Sequence, residues 1–239
     1  MNYVILAAGS GSRMGSLSSY LQKCMYPVLD RPFLEYTLES IRDSGAFRVG
    51  RDRLVLVVGH KAEQLHAYFG ESWNGVPIAY AFQAEPLGTA HALLLGRAAG
   101  EPGEPCLVIQ ADVWVDPSYL RAVVEHPAEN LLSAHRHECD RRHDERLDLD
   151  GDRVVRSFGG SGPYVECGVW KMGPALVDFM MSRKADEYRA LISVQAAIEA
   201  GVEVRALERE EWIHLGGTEP DTRSNLAALY RFALAREGL

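Results

Sequence analysis

The residues best suited to chemistry lie in a glycine-rich segment near the N-terminus, residues 6–14. An apolar run at residues 3–6 precedes it and is typical of a buried strand. Gly9 and Gly11 break that strand, and their spacing allows backbone N–H groups to turn toward an anion. The segment is therefore predicted to be a loop that can wrap a phosphate chain.

Two cations flank this loop, Arg13 and Lys23. Arginine contacts phosphate as a planar fork and lysine as a point charge, so the pair suits a triphosphate better than a single phosphate. A lone Gly-x-Gly is equally compatible with an ordinary strand-to-helix turn. Here a second ordered signature follows at residues 27–36, and it favours the phosphate site.

A second candidate segment, residues 83–92, is predicted to join a strand to a helix and to read a nucleobase. Gln83 offers both a hydrogen-bond donor and an acceptor, and Gly88 lets the backbone approach a ring closely. Thr89 suits the N-terminus of the helix. His91 falls inside that helix, so packing or hydrogen bonding is expected of it rather than catalysis.

Asp112 follows an apolar strand that ends at residues 108–111. A carboxylate in that place is costly unless it is solvated, paired or bound to a cation, and Mg²⁺ prefers such an oxygen together with substrate phosphates. We therefore predict that Asp112 holds Mg²⁺, with Mn²⁺ as an alternative ion. The structural alternative is a carboxylate that caps the loop before Asp116.

The elements that must position these residues alternate between strand and helix over the first half of the chain. This order predicts an α/β fold with a Rossmann-like, mostly parallel, twisted sheet, helices on both faces, and ligands at the carboxyl ends of the strands. Shorter strand-like runs after residue 129 predict a small antiparallel insertion on the acceptor side. The predicted strands are 53–58, 77–82, 106–110, 131–135, 146–149, 154–158 and 202–207, and the main predicted helices are 33–44, 90–98, 174–182, 191–200 and 218–236.

Size and charge narrow the class of protein. With 239 residues, of which 47% are hydrophobic, the chain is expected to form a single domain over residues 1–239, with a nucleotide-binding half, 1–128, and an acceptor-binding half with the terminal helix, 129–239. The net charge of −8 argues against nucleic acid as a partner. No apolar run approaches the length of a membrane helix, and four scattered cysteines favour a reducing, cytoplasmic setting.

The N-terminal segment resembles the signature of the sugar-1-phosphate nucleotidylyltransferases, which have a GT-A-like fold. In that signature Leu-Ala-Gly/Ala-Gly-x-Gly-x-Arg-Leu/Met is followed by a lysine and then a proline. The matching positions in this chain are Leu6, Ala7, Ala8, Gly9, Gly11, Arg13, Met14, Lys23 and Pro27. The resemblance implies an enzyme of nucleotide-sugar biosynthesis in which a sugar 1-phosphate attacks the α-phosphate of a nucleoside triphosphate and pyrophosphate is released.

The resemblance also implies roles for the candidate residues. Arg13 and Lys23 would neutralise the triphosphate as catalytic residues, Asp112 would hold the metal, and Gln83 with Gly88 would select the base. The other nucleotide-binding positions would be Leu6, Ala7, Ala8, Gly9, Gly11 and Thr89. The similarity at Gln83 favours UTP or dTTP, and the similarity of residues 85–89 to the loop of guanylyltransferases leaves GTP open.

The chain departs from the family pattern near its C-terminus. Where many relatives have Trp-x-Asp-x-Gly-Thr, residues 212–218 place His214 at the position of the aspartate. Imidazole is a poor Mg²⁺ ligand, so His214 could bind a softer metal, contact a phosphate as imidazolium, or leave the ion to Asp112 and the substrates. Asp221 is a further candidate for the second metal position.

The acceptor side departs as well. Residues 158–163 lack the family's Glu-Lys-Pro, and Glu166-Cys167-Gly168 stands in place of Asn-Ala-Gly. This predicts an unusual acceptor, with ring hydroxyls bound by Glu166 and a phosphate bound by Lys171 or Arg156. The alternative for each of these side chains is an ordinary surface charge.

The sequence leaves two other functions open and disfavours a third. One is nucleotidyl transfer to a non-sugar or cyclitol phosphate, which the missing Glu-Lys-Pro keeps open. Another is a non-catalytic, nucleotide-binding regulatory protein in which His214 is the lesion. An NAD-binding Rossmann protein is disfavoured because the third glycine is missing. Family members are often oligomers, so a homo-oligomer is compatible with the resemblance.

Overall fold

The computed structural model describes residues 1–136, 145–183, 189–215 and 221–238, with the side chains of residue 13 and residues 221–225 left out. The predicted role of Arg13 therefore concerns a side chain outside the described residues. The same holds for Asp221 as a second metal position and for the glycines and threonine at 216–218.

Strands and helices alternate through the first half of the chain. The strands are β1 Asn2–Ala7, β2 Pro27–Val28, β3 Arg31–Pro32, β4 Arg53–Val58, β5 Ser72–Trp73, β6 Val76–Phe82, β7 Cys106–Gln110 and β8 Val113–Trp114. The helices are α1 Phe33–Ser44, α2 Ala62–Phe69, α3 Thr89–Ala99 and α4 Pro117–Glu125, and two 3₁₀ segments cover Ser12–Ser19 and Lys23–Met25.

The second half adds strands that pair mainly in antiparallel fashion. They are β9 Leu131–Arg136, β10 Arg146–Asp150, β11 Arg153–Arg156, β12 Tyr164–Met172, β13 Arg205–Glu208 and β14 Ile213–His214. The helices of this half are α5 Pro174–Ser182, α6 Ala190–Glu199 and α7 Asp221–Glu237. None of the described helices is long and apolar enough to cross a membrane.

Most of the described strands form one ten-stranded sheet in the order β10-β11-β13-β9-β12-β7-β1-β4-β6-β5. The neighbours β7, β1, β4 and β6 are parallel, and β12 is antiparallel to both β7 and β9. The predicted α/β class is confirmed, and β7, β1, β4 and β6 form a parallel region as predicted. The antiparallel strands continue the same sheet, so the sheet as a whole is mixed.

Alternate residues of the central strands face two separate cores, which explains why these strands read as nearly unbroken apolar runs. Ile5 and Leu56 lie in one core with Leu34 and Leu38 of α1. Val4 lies in the other core, on the face that α3 covers. Helices therefore pack on both faces of the parallel strands, as predicted.

Among the longer elements, strand β12 and helix α4 were not anticipated from the sequence, and neither were the two-residue strands β2, β3, β5, β8 and β14. β12 is a nine-residue strand in which Glu166 and Gly168 interrupt the apolar pattern, and this masked the strand signal. Helix α4 begins with an Asp116 side chain that accepts from the N–H groups of Ser118 at 2.8 Å and Tyr119 at 3.2 Å, followed by Pro117 in the first turn. Asp116 followed by Pro117 is a strong helix-start signal that is already visible in the sequence.

The packing of α3 on the sheet yields a test of the fold. A Cβ atom at Gly96 would lie 2.9 Å from Val57 Cγ2 and closer still to Val4 Cγ1. Gly96→Ala should lower the free energy of unfolding by about 1–2 kcal/mol, because overpacking outweighs the helix propensity of alanine. Urea denaturation measures this change.

The control is Ala98→Ser on the exposed side of the same helix, where a change within about 0.5 kcal/mol is expected. A Gly96→Ala protein that is more stable than the wild type would show that α3 does not pack this closely on β1 and β4.

Candidate active site

The carboxyl ends of parallel strands meet at one edge of the sheet, and an open cavity of about 330 Å³ lies there. β1, β6 and β7 each deliver the residues that follow them to its wall. Among the lining residues are the predicted nucleotide-binding positions together with Lys23 and Asp112, that is Leu6, Ala7, Ala8, Gly9, Gly11, Lys23, Gln83, Gly88, Thr89 and Asp112. Segments that are far apart in the sequence thus converge on one cavity.

Lys23 and Asp112 form an ion pair in this cavity, with Lys23 Nζ donating to Asp112 Oδ2. The lysine side chain is 11% exposed and the carboxylate 22% exposed, so the cavity leaves both accessible to a ligand. A phosphate could replace the carboxylate as the partner of the ammonium, and a cation could replace the ammonium beside the carboxylate. A cation that suits a phosphate and a carboxylate that suits a metal ion therefore lie side by side.

Gln22, which was not predicted as a site residue, holds the glycine-rich loop in place. Its buried carboxamide donates to the carbonyl oxygens of Ala7 at 2.6 Å and Gly9 at 3.3 Å, and it accepts from Cys24 N at 2.6 Å. Its backbone N–H donates to Gln64 Oε1 at 2.8 Å. The two ends of the loop are thereby tied together, and nothing in the local sequence distinguishes this glutamine from an exposed one.

Gly11 meets two conditions that favour glycine. Its φ is +65°, and a Cβ there would lie 3.1 Å from Lys23 Cβ. This left-handed residue turns the chain into the 3₁₀ segment that carries the backbone of Arg13. The glycine spacing recognised in the sequence therefore has a geometric reason.

The predicted base-reading residues lie on another wall of the cavity. Gln83 is buried at the end of β6, and its carboxamide nitrogen donates to Gly88 O at 3.1 Å and contacts His91 Nδ1 at 3.0 Å. Gly88 has a φ of +95° at the start of α3. The Thr89 hydroxyl accepts from Ala190 N at 2.9 Å, so it links α3 to α6.

Asp112 is the described carboxylate that fits a divalent cation. No group of three or more His, Cys, Asp or Glu side chains suited to a metal occurs within the described part of the chain. Mg²⁺ often binds through one or two carboxylates plus substrate phosphates, and a partly exposed carboxylate on the cavity wall meets that requirement.

Strand pairing brings the backbone of His214 next to the segment that carries Asp112. β14 pairs with β8 so that His214 is opposite Val113, and Leu215 N donates to Asp112 O at 2.7 Å. The His214 ring stacks on Trp212 with centroids 4.3 Å apart. The segment that resembles the second metal motif is thus beside the aspartate, although His214 is not among the cavity-lining residues.

Glu166 lies behind the cavity and does not line it. It is buried, and its carboxylate accepts from Gly168 N and from the Ser133 hydroxyl, the latter at 3.2 Å. These bonds brace an irregularity in the β12–β9 pairing, and a Cβ at Gly168 would lie 3.2 Å from Gln110 of the cavity wall. Burial, reinforced by the charge of Glu145, raises the pKa of Glu166 to about 8.

The other predicted acceptor residues are not brought to the cavity either. Lys171 donates to the carbonyl oxygens of Val124 at 3.1 Å and His126 at 2.6 Å, at the C-terminal end of α4. Burial lowers the pKa of this ammonium. Arg156 pairs with Asp148 at 3.4 Å on an exposed strand. The structure therefore does not gather Glu166, Lys171 and Arg156 into one acceptor site.

The sequence matches known proteins over most of its length. The family model described as "Nucleotidyl transferase" matches residues 2–137. The bifunctional protein GlmU of Burkholderia multivorans is 31% identical over 253 residues, covering 97% of this chain and 51% of that protein. GlmU of Thermus thermophilus is 42% identical over 130 residues, covering 53% of this chain and 26% of that protein. The chain thus spans about half the length of the first of these relatives.

Solved structures share the fold. A UDP-glucose pyrophosphorylase complexed with UDP-glucose has a TM-score of 0.79 at 16% identity, covering 98% of both chains. The inositol-1-phosphate CTP transferase from T. maritima has a TM-score of 0.73 at 18% identity, covering 95% of both chains. At these identities the likeness establishes the architecture.

The buried Glu166 predicts a pH dependence of stability. Its pKa is raised in the folded state, so between about pH 4.5 and 8 the folded protein holds a proton that the unfolded chain has lost. Stability contributed by this group therefore falls as pH rises, by up to about 1.4 kcal/mol per pH unit.

Glu166→Gln should flatten that slope, because the neutral amide keeps an oxygen for Gly168 N without ionising. Urea denaturation at pH 6.0, 7.0 and 8.0 compares the two proteins, with Glu199→Gln, at an exposed position of α6, as the control. A wild-type slope that Glu166→Gln leaves unchanged would show that Glu166 is ionised in the folded protein.

Proposed function

Because this chain belongs to the nucleotidyl transferase family of sugar-1-phosphate nucleotidyltransferases, we propose that it transfers a nucleotide to a phosphorylated small molecule. A phosphate oxygen of the acceptor attacks the α-phosphorus of a nucleoside triphosphate. The new P–O bond forms as the bond to the β-phosphate breaks, and pyrophosphate leaves. The observation that carries this proposal is the Lys23–Asp112 pair, set in a cavity walled by the glycine-rich loop.

The proposed chemistry depends on positioning and charge rather than on a general base. The attacking phosphate is already anionic, so no proton has to be removed from it. Lys23 would neutralise the triphosphate as its charge shifts toward the leaving pyrophosphate, and loop N–H groups near Gly9 and Gly11 would hold its oxygens. Arg13 is proposed as a second cation from its place in the signature.

Asp112 is proposed to hold the divalent cation, Mg²⁺ or Mn²⁺, which would supply charge neutralisation at the phosphate oxygens. When a triphosphate binds, Lys23 would exchange its carboxylate partner for phosphate, and the carboxylate of Asp112 would become available for the cation. His214 is proposed to lie at the edge of this arrangement, because the strand that carries it is bonded to the backbone of Asp112.

A sugar 1-phosphate is the proposed acceptor, in line with the family and with the pyrophosphorylase fold. The nucleotide would be UTP, dTTP or GTP. A cyclitol phosphate is the second candidate, supported by one observation: the acceptor residues predicted from the sequence do not converge on the cavity, so the usual sugar contacts are not reproduced by Glu166 and Lys171.

Pyrophosphate release tests the reaction. The wild type would be assayed with UTP, dTTP, GTP, CTP and ATP against sugar and cyclitol 1-phosphates, in Mg²⁺ and in Mn²⁺. Turnover with one pair identifies the base and the acceptor together. Triphosphate binding without turnover across the panel would favour a regulatory nucleotide-binding protein.

Lys23→Ala should lower kcat/KM by about 10²–10³-fold, because the triphosphate loses a preorganised positive charge. The matched control is Arg53→Ala, which removes an exposed cation at the beginning of β4, the end of the strand away from the cavity. Arg53→Ala should retain wild-type activity. A folded Lys23→Ala protein with full activity would remove Lys23 from the proposed role.

A further inference from the structure

The side chains of Gln83 and His91 and the carbonyl of Gly88 form a small hydrogen-bonded cluster at the cavity wall, here called the amide clamp. The carboxamide nitrogen of Gln83 carries two hydrogens. It donates one to Gly88 O at 3.1 Å and the other to His91 Nδ1 at 3.0 Å. Both hydrogens are thereby used within the protein, and the carboxamide oxygen remains to meet a ligand.

The clamp allows one orientation of the amide. Rotating the Gln83 carboxamide by 180° would place its oxygen against Gly88 O, and two acceptors would then face each other. Because Nδ1 of His91 must accept a hydrogen, its ring proton is placed on Nε2. Gln83 is only 6% exposed, so an amide hydrogen without an acceptor would be costly there.

Gln83 and Gly88 line the cavity, whereas His91 is not among the lining residues. His91 lies in the first turn of α3, behind the glutamine. It can therefore act on a bound base only through Gln83. This makes it a candidate positioning residue.

We propose that His91 sets the base preference of this cavity by holding the Gln83 carboxamide oxygen toward the ligand. An acceptor in that place favours a base with a ring N–H at the centre of its pairing edge, as in uracil, thymine and guanine. Cytosine and adenine present a lone pair at the corresponding ring nitrogen and would face the oxygen unfavourably. The inference rests on the proposed nucleotidyl transfer, and it adds a role for a histidine that does not touch substrate.

Removing the imidazole should loosen this discrimination. In a His91→Leu protein the leucine fills the space of the imidazole but offers no acceptor, so one amide hydrogen of Gln83 loses its partner. The amide then gains by turning that hydrogen toward the cavity, where the lone pair of cytosine can accept it. Asparagine at this position keeps an oxygen near the place of Nδ1 and should preserve the clamp.

The experiment compares kcat/KM for UTP, dTTP, GTP and CTP in the wild type, His91→Leu and His91→Asn, by pyrophosphate release. In the wild type the best ring N–H triphosphate should exceed CTP by at least about tenfold. His91→Leu should reduce this ratio about tenfold, mainly through KM, and His91→Asn should restore it to within about threefold.

His66→Leu, which replaces an exposed histidine on α2, is the control and should keep the wild-type ratio. Thermal unfolding confirms that each variant is folded. A wild type that prefers CTP, or a folded His91→Leu protein with an unchanged ratio, would overturn the inference.

Failure of the proposed reaction gives a different result. If no triphosphate is turned over, the proposed function is wrong, and titration calorimetry with UTP and CTP then decides the inference. The same tenfold change in the ratio of dissociation constants is expected for His91→Leu. Equal affinities in the wild type, or no binding of either nucleotide, would overturn it.

Discussion

The buried carboxamide of Gln22 is the constraint on which the candidate site depends. Its hydrogen bonds connect the end of β1 to the backbone beside Lys23, so the two ends of the intervening loop are held together. Backbone groups at Ala7, Gly9 and Cys24 all use this one side chain. Without it, buried backbone polar groups would lose partners, and the position of Lys23 opposite Asp112 would be lost as well.

The described charged residues that line the cavity are one cation and one carboxylate, whereas the chain as a whole is acidic. The chain carries a net charge of −8, which would repel a triphosphate at long range. In the proposed function, Lys23 and the loop N–H groups would have to attract the anion at short range. Asp112, which lies 89 residues later in the sequence, pairs with this ammonium in the structure.

The parts of the fold that could be predicted from the sequence are those with local causes. α1 and α5 begin and end where their apolar spacing indicates, and β4 and β7 match their apolar runs. The cavity loop was recognised because glycine spacing at Gly9 and Gly11 reflects a backbone requirement that few other sequences meet. In these segments the residue pattern and the tertiary environment favour the same structure.

The other features of the site depend on tertiary contacts, which no local sequence pattern indicates. Gln22 looks like any polar residue until its partners are known, and His91 gains meaning only from the orientation of Gln83. Lys171 was assigned to a phosphate because it is a cation on the expected side of the chain. Its register opposite Leu107 places it toward the amino end of β7, where it caps a helix.

The continuous sheet has a mechanical consequence. Hinge closure requires two bodies joined by a few yielding residues, yet β12 is hydrogen-bonded to β7 on one side and to β9 on the other. Rotation of one half against the other would break the hydrogen bonds between these strands. In the proposed reaction, the spacing between the two substrate sites would therefore be set when the protein folds, and capture of the second substrate would be left to side chains and connecting loops.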